Sequence, residues 1–197
     1  CLDRVKRNAF MIQFINNPSN SICIEAVKKN GLALQYINKK TSEICLVAVQ
    51  QDGDALKYVP IELQSPDICL IALYNSPYSF RYIDKSNLTE EICIEGIRND
   101  GLQIRHIPIE YLTPKICAMA VQNNVIALQY IPIEHQSREI CLAAILQQGY
   151  ALDYVKNQTI ELCLAAVRRS GRSIQYVNVQ TEEICIEAVK QDGMVLP

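Results

Sequence analysis

The chain has 197 residues, 49% hydrophobic and 20% charged, a composition that builds a core and excludes disorder. Its net charge of −2 lacks the concentrated Lys and Arg excess that nucleic acid demands, and no apolar run reaches the ~20 residues of a bilayer span. Nine cysteines are an odd number and too sparse for a disulfide-built secreted scaffold, so the expected setting is intracellular and reducing.

The cysteines are Cys1, Cys23, Cys45, Cys69, Cys93, Cys117, Cys141, Cys163 and Cys185, separated by 22, 22, 24, 24, 24, 24, 22 and 22 residues. Other positions keep the same period, which is the signature of a repeat architecture. In chain order, the first unit starts at Cys1 and carries Arg4 where later units have Ala or Gly, a polar substitution suited to a terminal cap. From the second unit onward a hydroxyl residue stands four positions before each cysteine: Ser19, Thr41, Ser65, Thr89, Thr113, Ser137, Thr159 and Thr181. A hydroxyl there can accept from an orphan backbone N–H, so each of these residues is read as a helix N-cap. Pro66 and Pro114 follow two of them at the position that suits proline, and acids such as Glu43, Asp67 and Glu139 enrich the first turn.

In the third unit Ile44, Cys45, Ala48 and Val49 share one helical face, widened by Leu46. Eight residues past the cysteine stands Gly31, Gly53, Gly101, Gly149, Gly171 or Gly193, which predicts a left-handed helix stop; Ala9, Pro77 and Val125 are the exceptions. A shorter motif follows, such as "ALQYI" at Ala33 to Ile37, whose Leu34 and Ile37 suit about two turns of a second helix. Residues such as Asn38, Pro60, Pro108 and Asn178 end it. Four units carry two extra residues, read as "PIELQ" (60–64), "PIEYL" (108–112) and "PIEHQ" (132–136) in three of them.

The expected fold is all-α: an α-solenoid of about nine 22–24-residue helix–turn–short-helix repeats, a single array over 1–197. One unit buries too little apolar surface to offset the entropy of ordering it, so units hold shape only when stacked. The array opens at a cysteine with no cap before it and stops at "GMVLP" (193–197), so it reads as a segment of a longer chain.

Chemistry in the cysteine column is disfavoured on geometry. Equivalent positions in stacked helices lie ~8–10 Å apart, beyond the ~7 Å Cα limit of a disulfide. Zinc needs four ligands about one point. The column therefore reads as a small apolar residue filling a recurring hole. Phe14, Tyr36, Tyr58, Tyr82, His106, Tyr130, Tyr154 and Tyr176 form an aromatic column. It reads as packing for the short helix with its hydroxyls at the rim, rather than as a stacking platform for bases or cations. His106 is then a substituted tyrosine and His135 a loop residue.

No nucleophile motif, phosphate-cradling loop or metal-ligand cluster stands out, so no catalytic residue, cofactor or metal is assigned and the segment is expected not to be an enzyme. Binding information in such an array lies where repeats differ. The first helices vary at their polar ends, as at Gln50, Gln51, Arg168 and Arg169, and the residue before each aromatic varies too. Lys57, Arg81 and Arg105 make the basic patch best suited to an acidic segment of a protein partner.

The phrases "EICLVAVQQDGDALKYV", "EICIEAVKKNGLALQYI" and "ELCLAAVRRSGRSIQYV" resemble a repeat family of unknown function found in giant DNA viruses of amoebae, in protists and in some bacteria. The shared core is "AVxxxGxALxYV", and unit four departs most, with "ALYNSPYSFRYI" replacing the glycine by Pro77. The resemblance implies a repeat module, with a viral source among its settings, and brings no catalytic residues. The leading functional expectation is a scaffold for protein–protein interaction. The alternatives are a structural subunit of a large assembly such as a giant-virus particle, and an appendage that targets an enzyme encoded elsewhere in the chain; neither nucleic acid nor membrane is an expected partner.

Overall fold

A computed structural model of the chain describes residues 2–193. The unit start at Cys1, and all of the C-terminal "GMVLP" except Gly193, lie outside them. Among the described residues every regular element is helical. The α-helices are α1 (Leu2–Arg7), α2 (Asn20–Lys29), α3 (Ser42–Gln51), α4 (Pro66–Asn75), α5 (Glu90–Asn99), α6 (Pro114–Asn123), α7 (Arg138–Gln147), α8 (Ile160–Arg169) and α9 (Glu182–Gln191). Between them run six-residue 3₁₀ helices, among them Gly31–Tyr36, Gly53–Tyr58, Pro77–Tyr82, Gly101–His106 and Val125–Tyr130.

The chain divides into two compact units, Cys1–Gly96 and Ile97–Pro197, with the division inside α5. In the first, α1, α2, α3 and α4 pack in succession, and Gly31–Tyr36 and Gly53–Tyr58 lie against α3 and α4 respectively. In the second, α6 to α9 pack in succession, with Gly101–His106 against α6. This is an all-α repeat solenoid.

The N-caps form as the hydroxyl column implies. Thr41, Ser65, Thr89, Thr113, Ser137, Thr159 and Thr181 each accept from the backbone N–H three residues on, at 3.2–3.4 Å. Ser19 does not; its hydroxyl meets that of Ser21 at 3.0 Å. The helical face behind each cap is the core, with Ile44, Cys45, Ala48 and Val49 all at 0% exposure.

The second helix differs from expectation in type. Its bonds run over three residues, as in Ala33 N–H to Asn30 O (3.0 Å) and Ile37 N–H to Leu34 O (3.2 Å). Three residues per turn place Gly31, Leu34 and Ile37 in one line, and all three are buried.

The glycine differs from expectation in role. No described glycine has a positive φ, so none is a left-handed stop. The residue before it is extended, as at Asn30 (φ −157°) and Asp52 (φ −150°), ending one helix and capping the next. Asn30, Asp52, Asp100 and Asn124 each accept from the N–H two residues on, at 2.9–3.0 Å. The glycine opens the 3₁₀ helix where it presses on the next repeat. A Cβ on Gly31 would come within 2.4 Å of Ala48 O, and one on Gly53 within 2.3 Å of Ala72 O. Glycine stands there for want of space.

Side chains also stitch repeat to repeat. Gln136 donates to Ile131 O (3.2 Å) in its own repeat and to Tyr154 O (3.1 Å) in the next, and accepts from Lys156 N–H (2.9 Å). Gln64 and Gln158 bridge their own neighbours in the same way. At the far end of the α-helices, Asn75 donates to Val49 O, Gln147 to Gln122 O and Arg169 to Leu146 O, each at 3.0 Å. Gly31 N–H donates to the Gln51 side chain. The last carbonyls of a helix lack intrahelical partners; here the following repeat supplies them.

Candidate functional site

Three features of the repeat could carry chemistry: the thiols, the aromatics and the variable cations. Cys23, Cys45, Cys69, Cys93, Cys117, Cys141 and Cys163 are buried free thiols, and Cys185 is a half-buried one. Burial pushes Cys45, Cys69, Cys93 and Cys117 up to about 11 and raises Cys23, Cys141 and Cys163 in the same direction. The thiolate is the nucleophile and the metal ligand, so at neutral pH these groups are held in their unreactive form. The thiols of Cys23, Cys69 and Cys141 instead donate weakly to the carbonyl five residues back, at 3.8–3.9 Å. No group of three or more His, Cys, Asp and Glu suited to a metal ion occurs among the described residues.

The aromatic column lies at the end of the 3₁₀ helices, half-buried at Tyr58, Tyr82, Tyr154 and Tyr176 and exposed at Phe14, Tyr36 and Tyr130. The Tyr154 phenol is raised by partial burial first, then by Asp153 and by the neighbouring Tyr150, Tyr176 and Tyr130. Successive phenols thus sense one another along the column.

Each cation singled out in the sequence is exposed and precedes the aromatic of its repeat. In the first unit the Lys57 ammonium lies 5.6 Å from the Tyr58 ring centroid. The Arg81 guanidinium lies 5.3 Å from the ring of Tyr82 and 5.8 Å from that of Tyr78, and its Nε–H donates to Tyr78 O at 3.0 Å. No carboxylate pairs with Lys57 or Arg81 among the described residues. Their 3₁₀ helices pack on one another, so the two charges occupy the same register in adjacent rungs. In the second unit Arg105 donates from Nε to His106 Nε2 at 3.0 Å.

Other variable polar residues prove structural: Gln51 and Arg169 serve backbone groups of the preceding repeat. The glutamine stitches and the Asn/Asp caps of the 3₁₀ helices escaped the sequence reading. The cap column, filled by Asn8, Asn30, Asp52, Ser76, Asp100, Asn124, Gln148, Ser170 and Asp192, held a signal that could have revealed it.

No helix among the described residues is long and apolar enough to cross a membrane. Neither the curated proteins nor the solved structures include a match to this chain. One family model matches three times, at residues 19–64, 41–88 and 113–160, which together span more than half of the sequence. The first two matches overlap by one repeat, so the model itself slides along the period found in the cysteines. By its helical units and by these repeated matches, the chain belongs to the family described as Domain of unknown function (DUF4116).

Proposed function

We propose that this chain is a non-catalytic helical scaffold that binds another protein through an acidic segment laid along Lys57 and Arg81, with Arg105 offering the equivalent cation in the second unit. The observation that supports it is the pair of exposed cations in adjacent rungs, each resting on a tyrosine ring and neither matched by a carboxylate. A guanidinium already held by a ring and a carbonyl loses less freedom when it meets an anion, which favours recognition. The protonated, buried thiols support the non-catalytic reading, and their free state suits a reducing intracellular compartment.

The test is fluorescence polarisation with a labelled Asp/Glu-rich peptide. The expected result is saturable binding that weakens about three- to tenfold in Lys57→Gln/Arg81→Gln and fades as salt shortens the screening length. Equal affinity for the wild type and the double variant would overturn the reading, as would a lack of saturation. A structural subunit of a large assembly would instead show concentration-dependent growth in sedimentation.

A further inference from the structure

We propose that the seam between α6 and α7 is a docking groove for an amphipathic helix of a partner protein. In this arrangement a leucine-sized side chain sits between Ala118 and Ala143, and a Lys or Arg of that helix meets Glu139. The proposal deepens the scaffold reading but uses a separate face, in the second unit, from the cations of the first.

One position breaks the repeat at this seam alone, and two more reduce the bulk or the approach there. The residue after the cysteine is Ile or Leu in every other unit and Ala only at Ala118. Two residues after the cysteine α7 has Ala143, as α8 has Ala165, where α3 and α4 have the bulkier Val47 and Ile71. In the first unit the register that pairs Ala118 with Ala143 pairs Ile24 with Val47 and Leu46 with Ile71, so bulk is missing here on both sides. Val125, like Ala9 and Pro77 elsewhere, takes the place of the glycine. At Gly31, Gly53, Gly101 and Gly171 a Cβ would come within 2.3–2.7 Å of a carbonyl oxygen of the following α-helix, so a valine cannot approach α7 as a glycine would. The 3₁₀ helix Val125–Tyr130 indeed packs less closely on α7 than its counterparts do on the next α-helix, and α6 and α7 are themselves the least closely packed of the successive pairs from α6 to α9.

The result is a trench of about 550 Å³, open to solvent, with an apolar floor of Ala118, Val121, Ile140 and Ala143. Gln122 and Gln147 lie along it and Glu139 stands at the start of α7, while no basic side chain lines it. Backbone hydrogen bonding and the Ser137 hydroxyl hold the Glu139 carboxyl below its ordinary range, so the trench presents one fixed negative charge. A small molecule binds best where most of its surface is enclosed. An open trench flanked by two ten-residue helices, about 15 Å long, suits the apolar face of a helix. Glu139 is the charged residue among those that line the trench, so it favours a helix that carries a cation.

The experiment uses the whole chain and a fluorescein-labelled, alanine-rich peptide of about fifteen residues, the length at which an isolated helix becomes marginally stable. It carries leucines at i and i+4 and one lysine, and a matched peptide has glutamate in place of the lysine. The lysine peptide is expected to bind saturably and to weaken about tenfold or more in Ala118→Leu, which restores the usual residue of its column. Val125→Gly, which lets α7 close, is expected to weaken it in the same direction. Glu139→Lys is expected to shift preference about threefold toward the glutamate peptide. Circular dichroism melts establish that each variant is folded, and Lys57→Gln/Arg81→Gln should leave this binding unchanged, which separates it from the acidic-peptide assay. The proposal is overturned if the peptide fails to saturate, or if a folded Ala118→Leu binds as well as the wild type. It is also overturned if sedimentation shows a dimer that Ala118→Leu dissolves, which would assign the groove to a second copy of the chain.

Discussion

Phe80 and Gly96 show how one residue makes room for another. Most repeats place Leu or Ile where Phe80 stands, and most place Ala where Gly96 stands. A Cβ on Gly96 would lie 2.3 Å from Phe80 Cδ2, so the larger ring requires the missing methyl. Ordinary helix propensity favours Ala over Gly by about 1 kcal/mol, and that sets the sign of the test. Gly96→Ala should destabilise by about 1–3 kcal/mol through overpacking, and Phe80→Leu in the same chain should recover most of it. Urea denaturation of the four members of this cycle measures the coupling; a stabilising Gly96→Ala in the Phe80 background would refute the contact.

At the scale of the element, the glycines that open 3₁₀ helices at Gly31, Gly53, Gly101 and Gly171 act as spacers between repeats. Gly53→Ala should therefore cost about 1–3 kcal/mol, because its Cβ would meet Ala72 O and Ser76. Gly193→Ala should change stability by less than about 0.5 kcal/mol, because nothing lies within 4 Å of a Cβ built there. A left-handed stop would have made both substitutions strained, so equal losses of melting temperature would reinstate that reading. The α-helices were legible because cap, apolar face and cysteine recur together at fixed offsets. The second helix was legible as a helix but not as 3₁₀, since six residues span two turns of one form and fewer than two of the other, and their apolar patterns nearly coincide. The glycine misled because Gly after a polar helix end is also the usual left-handed signature; only the distance to the next repeat separates the two causes. Lys57, Arg81 and Arg105 were legible as variable cations, yet the second ring and the carbonyl that hold Arg81 come from Tyr78, in the unit that departs most from the pattern.

Across the molecule, the buried thiols respond together. Each is protonated in the fold beyond the pH at which it ionises in the unfolded chain, whose value is 9.0, and four of them titrate near 11. The unfolded state therefore binds fewer protons than the native state between these values, so stability falls as pH rises through that window. Their contribution is complete below about pH 9 and is lost by about pH 11. Melting followed by circular dichroism should stay level through neutral pH and drop across this alkaline range, with iodoacetamide labelling of the native thiols rising over the same interval. Rapid labelling of Cys45, Cys69, Cys93 or Cys117 at pH 8 without unfolding would contradict the burial of the column.

Asn30 precedes Gly31, and this dipeptide is the one most prone to deamidation, in which the glycine nitrogen attacks the preceding side-chain carbonyl carbon, ammonia leaves and water reopens the resulting succinimide. In the folded chain that nitrogen is tied to the Gln51 side chain, and the Asn30 oxygen is engaged by Leu32 N–H at 2.9 Å. The bond that joins one repeat to the next thus also guards the chain against isoaspartate formation, and a molecule that frays at this rung would age chemically there first.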